Sequence, residues 1–136
     1  AKDYFVALWE TAVQPDELLV EIRVPTTSMN ANSCYEKFAQ PASRYPYVGC
    51  AVAVDKSGGT CSDVRVGFSG VGHVGFRDSN VEGALKGQAL SAASIKAAAD
   101  TATNGVDVLS DWSVSEDYRR AMSRVYARRA LTKVGL

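Results

Sequence analysis

Arg44, Tyr45 and Tyr47, in the stretch from Pro41 to Tyr47, are the residues whose types and spacing come closest to a ligand site. An arginine flanked by aromatic rings can stack on, or pair with, a flat anionic ligand. Pro41 and Pro46 restrict the backbone that would present it. The competing reading is a packed loop with no ligand.

The other candidates fall short of a site. Gly70-Val-Gly-His-Val-Gly75 has the GxGxxG spacing of a pyrophosphate-binding turn, but Phe76 to Ser79 separate its last glycine from any helix and no βαβ unit surrounds it. A glycine-rich turn between strands is expected instead. His73, the single histidine, has no cysteine or second histidine at metal-ligand spacing and no local serine and acid partners. Asp16, Glu17, Asp55, Asp63 and Asp78 all fall at turns, where they cap or are solvated, so no carboxylate pair stands out as a general acid and base. No catalytic residue and no metal ligand is therefore assigned. Cys34, Cys50 and Cys61 are odd in number and lack CxxC spacing, and read as reduced, structural residues. Arg119, Arg120, Arg124, Arg128 and Arg129 read as a solvated helix face that complements the dipole at a C-terminal end, not as a nucleic-acid site.

The elements that must position these residues follow from periodicity. Tyr35 to Val54 reads as a strand, a proline-bracketed loop and a second, wholly apolar strand. Along the latter, Val48, Cys50, Val52 and Val54 share one face and Gly49, Ala51 and Ala53 the other, so both faces are expected to be covered, the small one by a close-packed helix. Tyr4 to Thr11 reads as a strand, Gln14 to Glu17 as a turn, and Leu18 to Val24 as a half-buried strand ended by Pro25. Thr26 to Ser33 reads as a polar loop. Gly58-Gly59 suits a tight hairpin leading into Asp63 to Ser69. Beyond Asn80 the helical period takes over: Val81–Lys86 with Asn80 as cap, Ala92–Thr103 with Ser91 as cap, and a last helix opened by Ser113 or Ser115. That last helix carries two apolar stripes. Tyr118, Ala121, Met122 and Val125 form one; Ala127, Ala130, Leu131 and Val134 lie nearly opposite, facing either this domain or a missing neighbour.

At 136 residues and 46% hydrophobic composition, the chain suits one domain with its own core. A formal net charge of zero gives no reason to expect nucleic acid or an anionic membrane as partner. No signal peptide, transmembrane run or N-glycosylation sequon is visible, which makes the cytoplasm the expected setting.

Several short motifs in a fixed order carry a family resemblance. Phe5 to Pro25, Tyr35-Glu-Lys-Phe38, Pro41-Ala-Ser-Arg-Tyr45 with Val48-Gly49, Gly58-Gly-Thr-Cys61, Gly70-Val-Gly72 with Arg77, Asp117-Tyr-Arg-Arg120 and Arg128-Arg-Ala-Leu131 together resemble the C-terminal domain of the FAD-binding medium subunit of carbon monoxide dehydrogenase-type molybdenum hydroxylases, the xanthine dehydrogenase family. The resemblance implies an α+β fold, an antiparallel sheet of three to four strands with about three helices packed on one face. It also implies partners: the FAD-binding domain of the same subunit, an iron–sulfur small subunit and a molybdenum-containing large subunit. In that family FAD passes electrons from the iron–sulfur clusters to an external acceptor. The family's main FAD-binding motifs precede this domain, and nothing in residues 1–136 corresponds to them. The expectation is thus a single domain over 1–136, as a fragment or split subunit, that binds no FAD by itself, with Arg44 and Tyr45 at the edge of a flavin pocket. The alternative is a free-standing interaction or dimerisation module with this fold and no redox role, which leaves a homo-oligomer open. A small-ligand binder using the Arg44 loop is a third reading.

Overall fold

A computed structural model describes residues 3–25 and 32–136. Its centre is an antiparallel four-stranded sheet in the order β3-β4-β5-β6, made of β3 (Asn32–Ala39), β4 (Pro46–Ser57), β5 (Thr60–Ser69) and β6 (Phe76–Arg77). Gly58 and Gly59, at φ of 57° and 80°, form the two-residue turn between β4 and β5, the positive-φ geometry that matches the strand twist of a hairpin. Three helices follow: α1 (Ser79–Leu85), α2 (Ala92–Ala99) and α3 (Glu116–Gly135). The α+β fold expected from sequence is present, with the helices on one face of the sheet.

The core lies between that face and the helices. Val48, Cys50, Val52 and Val54 of β4 and Val64, Val66 and Phe68 of β5 are buried against Leu85, Ile95, Ala98, Ala127, Ala130 and Leu131. Alternation along both strands is what aims these side chains one way. The opposite face is not covered as expected: Ala51 is exposed and Ala53 half-buried. The helices pack on the branched face, which has the apolar volume to fill the gap, and leave the small-residue face open.

Helix ends are fixed by side chains. Asp78, not Asn80, caps α1, accepting from the amides of Asn80 (3.1 Å) and Val81 (3.3 Å). Ser91 caps α2 in a reciprocal box with Ser94, and Ser115 caps α3. Helix α2 stops at Ala99, short of the expected Thr103, and a turn held at Thr103 (φ 64°) and Gly105 (φ 71°) follows it. The second stripe of α3 is core: Ala127, Ala130 and Leu131 are fully buried and Val134 nearly so, whereas Tyr118 and Ala121 are exposed. No missing neighbour is needed to cover it.

The segment before residue 26 departs most from expectation. Tyr4 to Thr11 folds only as a minimal hairpin of β1 (Phe5–Ala7) and β2 (Glu10–Thr11), turning at Trp9 (φ 62°). The turn at Gln14 to Glu17 is present, closed by a 3.0 Å bond from the Glu17 amide to the Gln14 carbonyl. Leu18 to Val24 is not a strand, and Leu18, Val20 and Ile22 are 79% exposed or more. Its alternating pattern needs a neighbouring strand and an apolar surface, and the described residues supply neither. Of the polar loop expected over 26–33, residues 26–31 lie outside the described residues, and Asn32 and Ser33 already belong to β3.

Candidate functional site

The loop between β3 and β4 carries Arg44 and Tyr45 at the end of the sheet remote from the β4–β5 turn. A bulge at Phe38/Ala39 ends the regular pairing of β3 with β4 and lets the chain turn. The loop is closed by bonds from the Gln40 amide to the Tyr45 carbonyl (2.8 Å) and from the Arg44 amide to the Gln40 carbonyl (2.9 Å). The Gln40 side chain accepts from both the amide and the hydroxyl of Ser43, and Lys37 donates to the Arg44 carbonyl at 3.1 Å. Within this framework Arg44 adopts φ 64°, a left-handed conformation that a non-glycine residue holds only when its surroundings impose it. Arg44 is exposed, Tyr45 is 73% exposed, and among the described residues no hydrogen bond or ion pair engages the Arg44 guanidinium.

Tyr47, grouped with them by sequence, is not part of this exposed pair. Its ring packs on Phe38 at 5.5 Å, and Phe38 also meets Tyr118 (6.0 Å) and Tyr126 (5.9 Å). These rings cluster where β3 ends and β4 begins, at the base of the loop.

Arg119 organises this end of the molecule. It is 3% exposed, which corrects its reading as a solvated residue. Its guanidinium donates to the carbonyls of Tyr47 (2.8 Å), Gly70 (2.6 Å) and Leu109 (3.0 Å) and to Asp111 Oδ2 (2.7 Å). One side chain thus joins the start of β4, the end of β5 and the loop before α3. Gly70, at φ 73°, is required there, because a Cβ would collide with the Pro46 carbonyl. Asp111 also accepts from the Ser113 hydroxyl (2.7 Å) and amide (2.8 Å) and the Val114 amide (2.9 Å). These bonds, the Ser113 hydroxyl first, together with the Arg119 charge hold the Asp111 carboxyl down to about 2. The loop they brace presents Trp112, 95% exposed. Arg120 is likewise engaged, donating to the carbonyls of Thr103 (2.7 Å) and Val106 (2.8 Å) and to Glu116.

Sequence reasoning missed Arg119 and Asp111, yet a signal was there. Arg119 and Arg120 lie near the N-terminal, positive end of α3, where a cation is unfavourable unless partners hold it.

The Gly70–Gly75 segment is a turn between β5 and β6, as expected. It cannot cradle a pyrophosphate on the following helix, because the Asp78 carboxylate already takes the first amides of α1 and is 1% exposed. This segment therefore offers no phosphate cradle. His73 is exposed, with Nε2 3.8 Å from Asp107. Among the described residues, no group of three or more His, Cys, Asp or Glu side chains could hold a metal ion, and no helix is long and apolar enough to cross a membrane. The three cysteines are free, and burial pushes the Cys50 thiol up to about 12, so it stays protonated and inert.

Comparison with known proteins agrees with this architecture. The family model described as the CO dehydrogenase flavoprotein C-terminal domain matches residues 33–134. The carbon monoxide dehydrogenase medium chain of Hydrogenophaga pseudoflava is 31% identical over 131 residues, covering 96% of this chain and 46% of that one. The 6-hydroxypseudooxynicotine dehydrogenase complex subunit alpha of Paenarthrobacter nicotinovorans is 30% identical, covering 97% and 45%. Among solved structures, carbon monoxide dehydrogenase from Hydrogenophaga pseudoflava, in a form lacking the Mo-pyranopterin moiety, superposes with a TM-score of 0.89 at 32% identity, over 98% of this chain and 46% of that one. The chain spans under half the length of these relatives.

Proposed function

From the premise that this chain belongs to the CO dehydrogenase flavoprotein C-terminal domain family, we propose that it is the C-terminal part of the flavoprotein (medium) subunit of a molybdenum hydroxylase. There it supports FAD-mediated electron transfer from iron–sulfur clusters to an external acceptor. The observation that carries the reading is the family match over 33–134, on a chain that covers under half of each flavoprotein relative. Its partners are then an FAD-binding portion of the same subunit, an iron–sulfur small subunit and a molybdenum large subunit. Three free cysteines fit a reducing, cytoplasmic setting.

Within this reading the domain proper is the sheet and helices from Asn32 onward. Residues 3–25 align with the relatives but lie outside the family match, and most of their apolar side chains are exposed. Such a segment suits a chain that continues into another folded portion better than a free-standing module. Arg44 and Tyr45 form the edge of the flavin pocket. Bound FAD supplies the one- and two-electron chemistry; Arg44 contributes a fixed positive charge and hydrogen-bond donors, and Tyr45 a ring that shields one side from water.

The test is a titration of the purified chain with FAD, followed by flavin fluorescence. No saturable binding is expected below about 100 µM, because the phosphate-binding motifs lie elsewhere. Stoichiometric quenching at low micromolar concentration would overturn the assignment.

A further inference from the structure

Residues 18–24 carry a regular pattern that the fold leaves unused. Leu18, Val20, Ile22 and Val24 recur at the two-residue period, and each is 72% exposed or more. At the alternate positions Arg23 Nε donates to Glu21 Oε1 at 2.8 Å, so the charged residues have partners and the apolar row has none. Among the described residues, no main-chain group of residues 18–24 is hydrogen-bonded to another main-chain group. Three of the four apolar positions are β-branched, and Pro25, which has no N–H to give a ladder, closes the stretch. This is the make-up of a half-buried strand, which needs a neighbour to pair with and a core to cover. The setting is equally apolar. Nine of the fourteen large apolar side chains exposed among the described residues lie between Phe5 and Val24, a concentration that marks an interface.

The described residues do not offer that neighbour. β3 stands at the end of the sheet and has a free edge, but Glu36, in register with the buried Cys50, carries an ion pair with Lys133 at 2.9 Å on the helix side of that edge. An apolar row laid along it would cover charge. The boundary of the family match points elsewhere. The match to the C-terminal domain runs from 33 to 134, so residues 18–24 lie ahead of that domain. They nevertheless fall in the stretch shared with the medium chain of Hydrogenophaga pseudoflava, whose alignment covers 96% of this chain. A segment common to flavoprotein subunits, ahead of their C-terminal domain and apolar on one face, fits the portion of the subunit that precedes this domain. On the reading proposed above, that portion is the one that binds FAD.

We infer that residues 18–24 form a strand of the FAD-binding portion of the same subunit, their backbone paired with a strand of that portion and Val20, Ile22 and Val24 entering its core, while Glu21 and Arg23 stay in water. The inference rests on the flavoprotein-subunit reading. Amide hydrogen exchange read by mass spectrometry compares residues 1–136 alone with the whole subunit. Peptides covering 18–24 are expected to exchange about 100-fold more slowly in the whole subunit, while peptides from β4 exchange alike in both. Substitution supplies a second readout. In the whole subunit Ile22→Asp is expected to speed FAD release about tenfold and Glu21→Gln to leave it unchanged, whereas in residues 1–136 alone Ile22→Asp shifts the thermal midpoint by no more than about 2 °C. Should Ile22→Asp keep the whole subunit from folding, exchange in the wild type decides. Fast exchange at 18–24 in a whole subunit that retains FAD overturns the strand and leaves the function intact. So does slow exchange there in residues 1–136 alone, which places the partner in this chain or, if protection grows with concentration, in a second copy. A subunit with no FAD-binding portion overturns both.

Discussion

Arg119 illustrates how one side chain can unify loops that are distant in sequence. Replacing it with methionine would leave three carbonyls and Asp111 without their shared donor, so Arg119→Met is expected to lower stability by about 3 kcal/mol in urea unfolding at pH 7. Lysine, a point charge without the planar fork, should recover less than half of that. The pH dependence follows from Asp111. Its folded carboxyl ionises at about 2 and an unfolded aspartate at about 3.9, so its contribution is fully present above about pH 4 and is lost as pH falls towards 2. The stability gap between the wild type and Asp111→Asn should therefore narrow over that window, and an unchanged gap would contradict the assignment. At this scale the sequence is only partly readable. Arg44 and Tyr45 were picked out because residue type and flanking prolines are local information. The burial of Arg119 depends on carbonyls contributed by residues 47, 70 and 109, which no local pattern brings together.

Elements were read well where a periodic face meets its partner within the chain. The β4–β5 hairpin followed from Gly58-Gly59 and alternation, and the cap at Ser91 from its side chain, while α3 opens at Ser115, one of the two serines expected there. The same periodicity misled where the partner is absent from the described residues, as in Leu18 to Val24, because alternation states that a face exists and not what covers it. It also could not tell which side of β4 the helices would choose. The second stripe of α3 provides a sharp check. Leu131 is fully buried between helix and sheet, so Leu131→Asp places a charge in the core and is expected to unfold the domain, costing about 4 kcal/mol or more by circular dichroism and denaturant titration. A well-folded Leu131→Asp protein would mean that the stripe faces outward.

For the whole molecule, the distribution of burial divides the chain near residue 32. Before it, most apolar side chains of the described residues are exposed; after it lies the only large core among the described residues. Beginning the chain at Asn32 is therefore expected to leave the thermal midpoint within about 2 °C, and a larger drop would show that residues 1–31 stabilise the core. The resemblance over ordered motifs identified the family, which composition and charge alone did not do. Both tryptophans stand outside the core, Trp9 at 94% and Trp112 at 95% exposure. Their indoles are as hydrated in the folded chain as in the unfolded one, so intrinsic emission is a poor reporter of folding here. That same property makes the emission colour a sensitive gauge of assembly. A blue shift on joining other subunits, at constant circular dichroism, would report water leaving one of these two rings, and single substitution of each would say which.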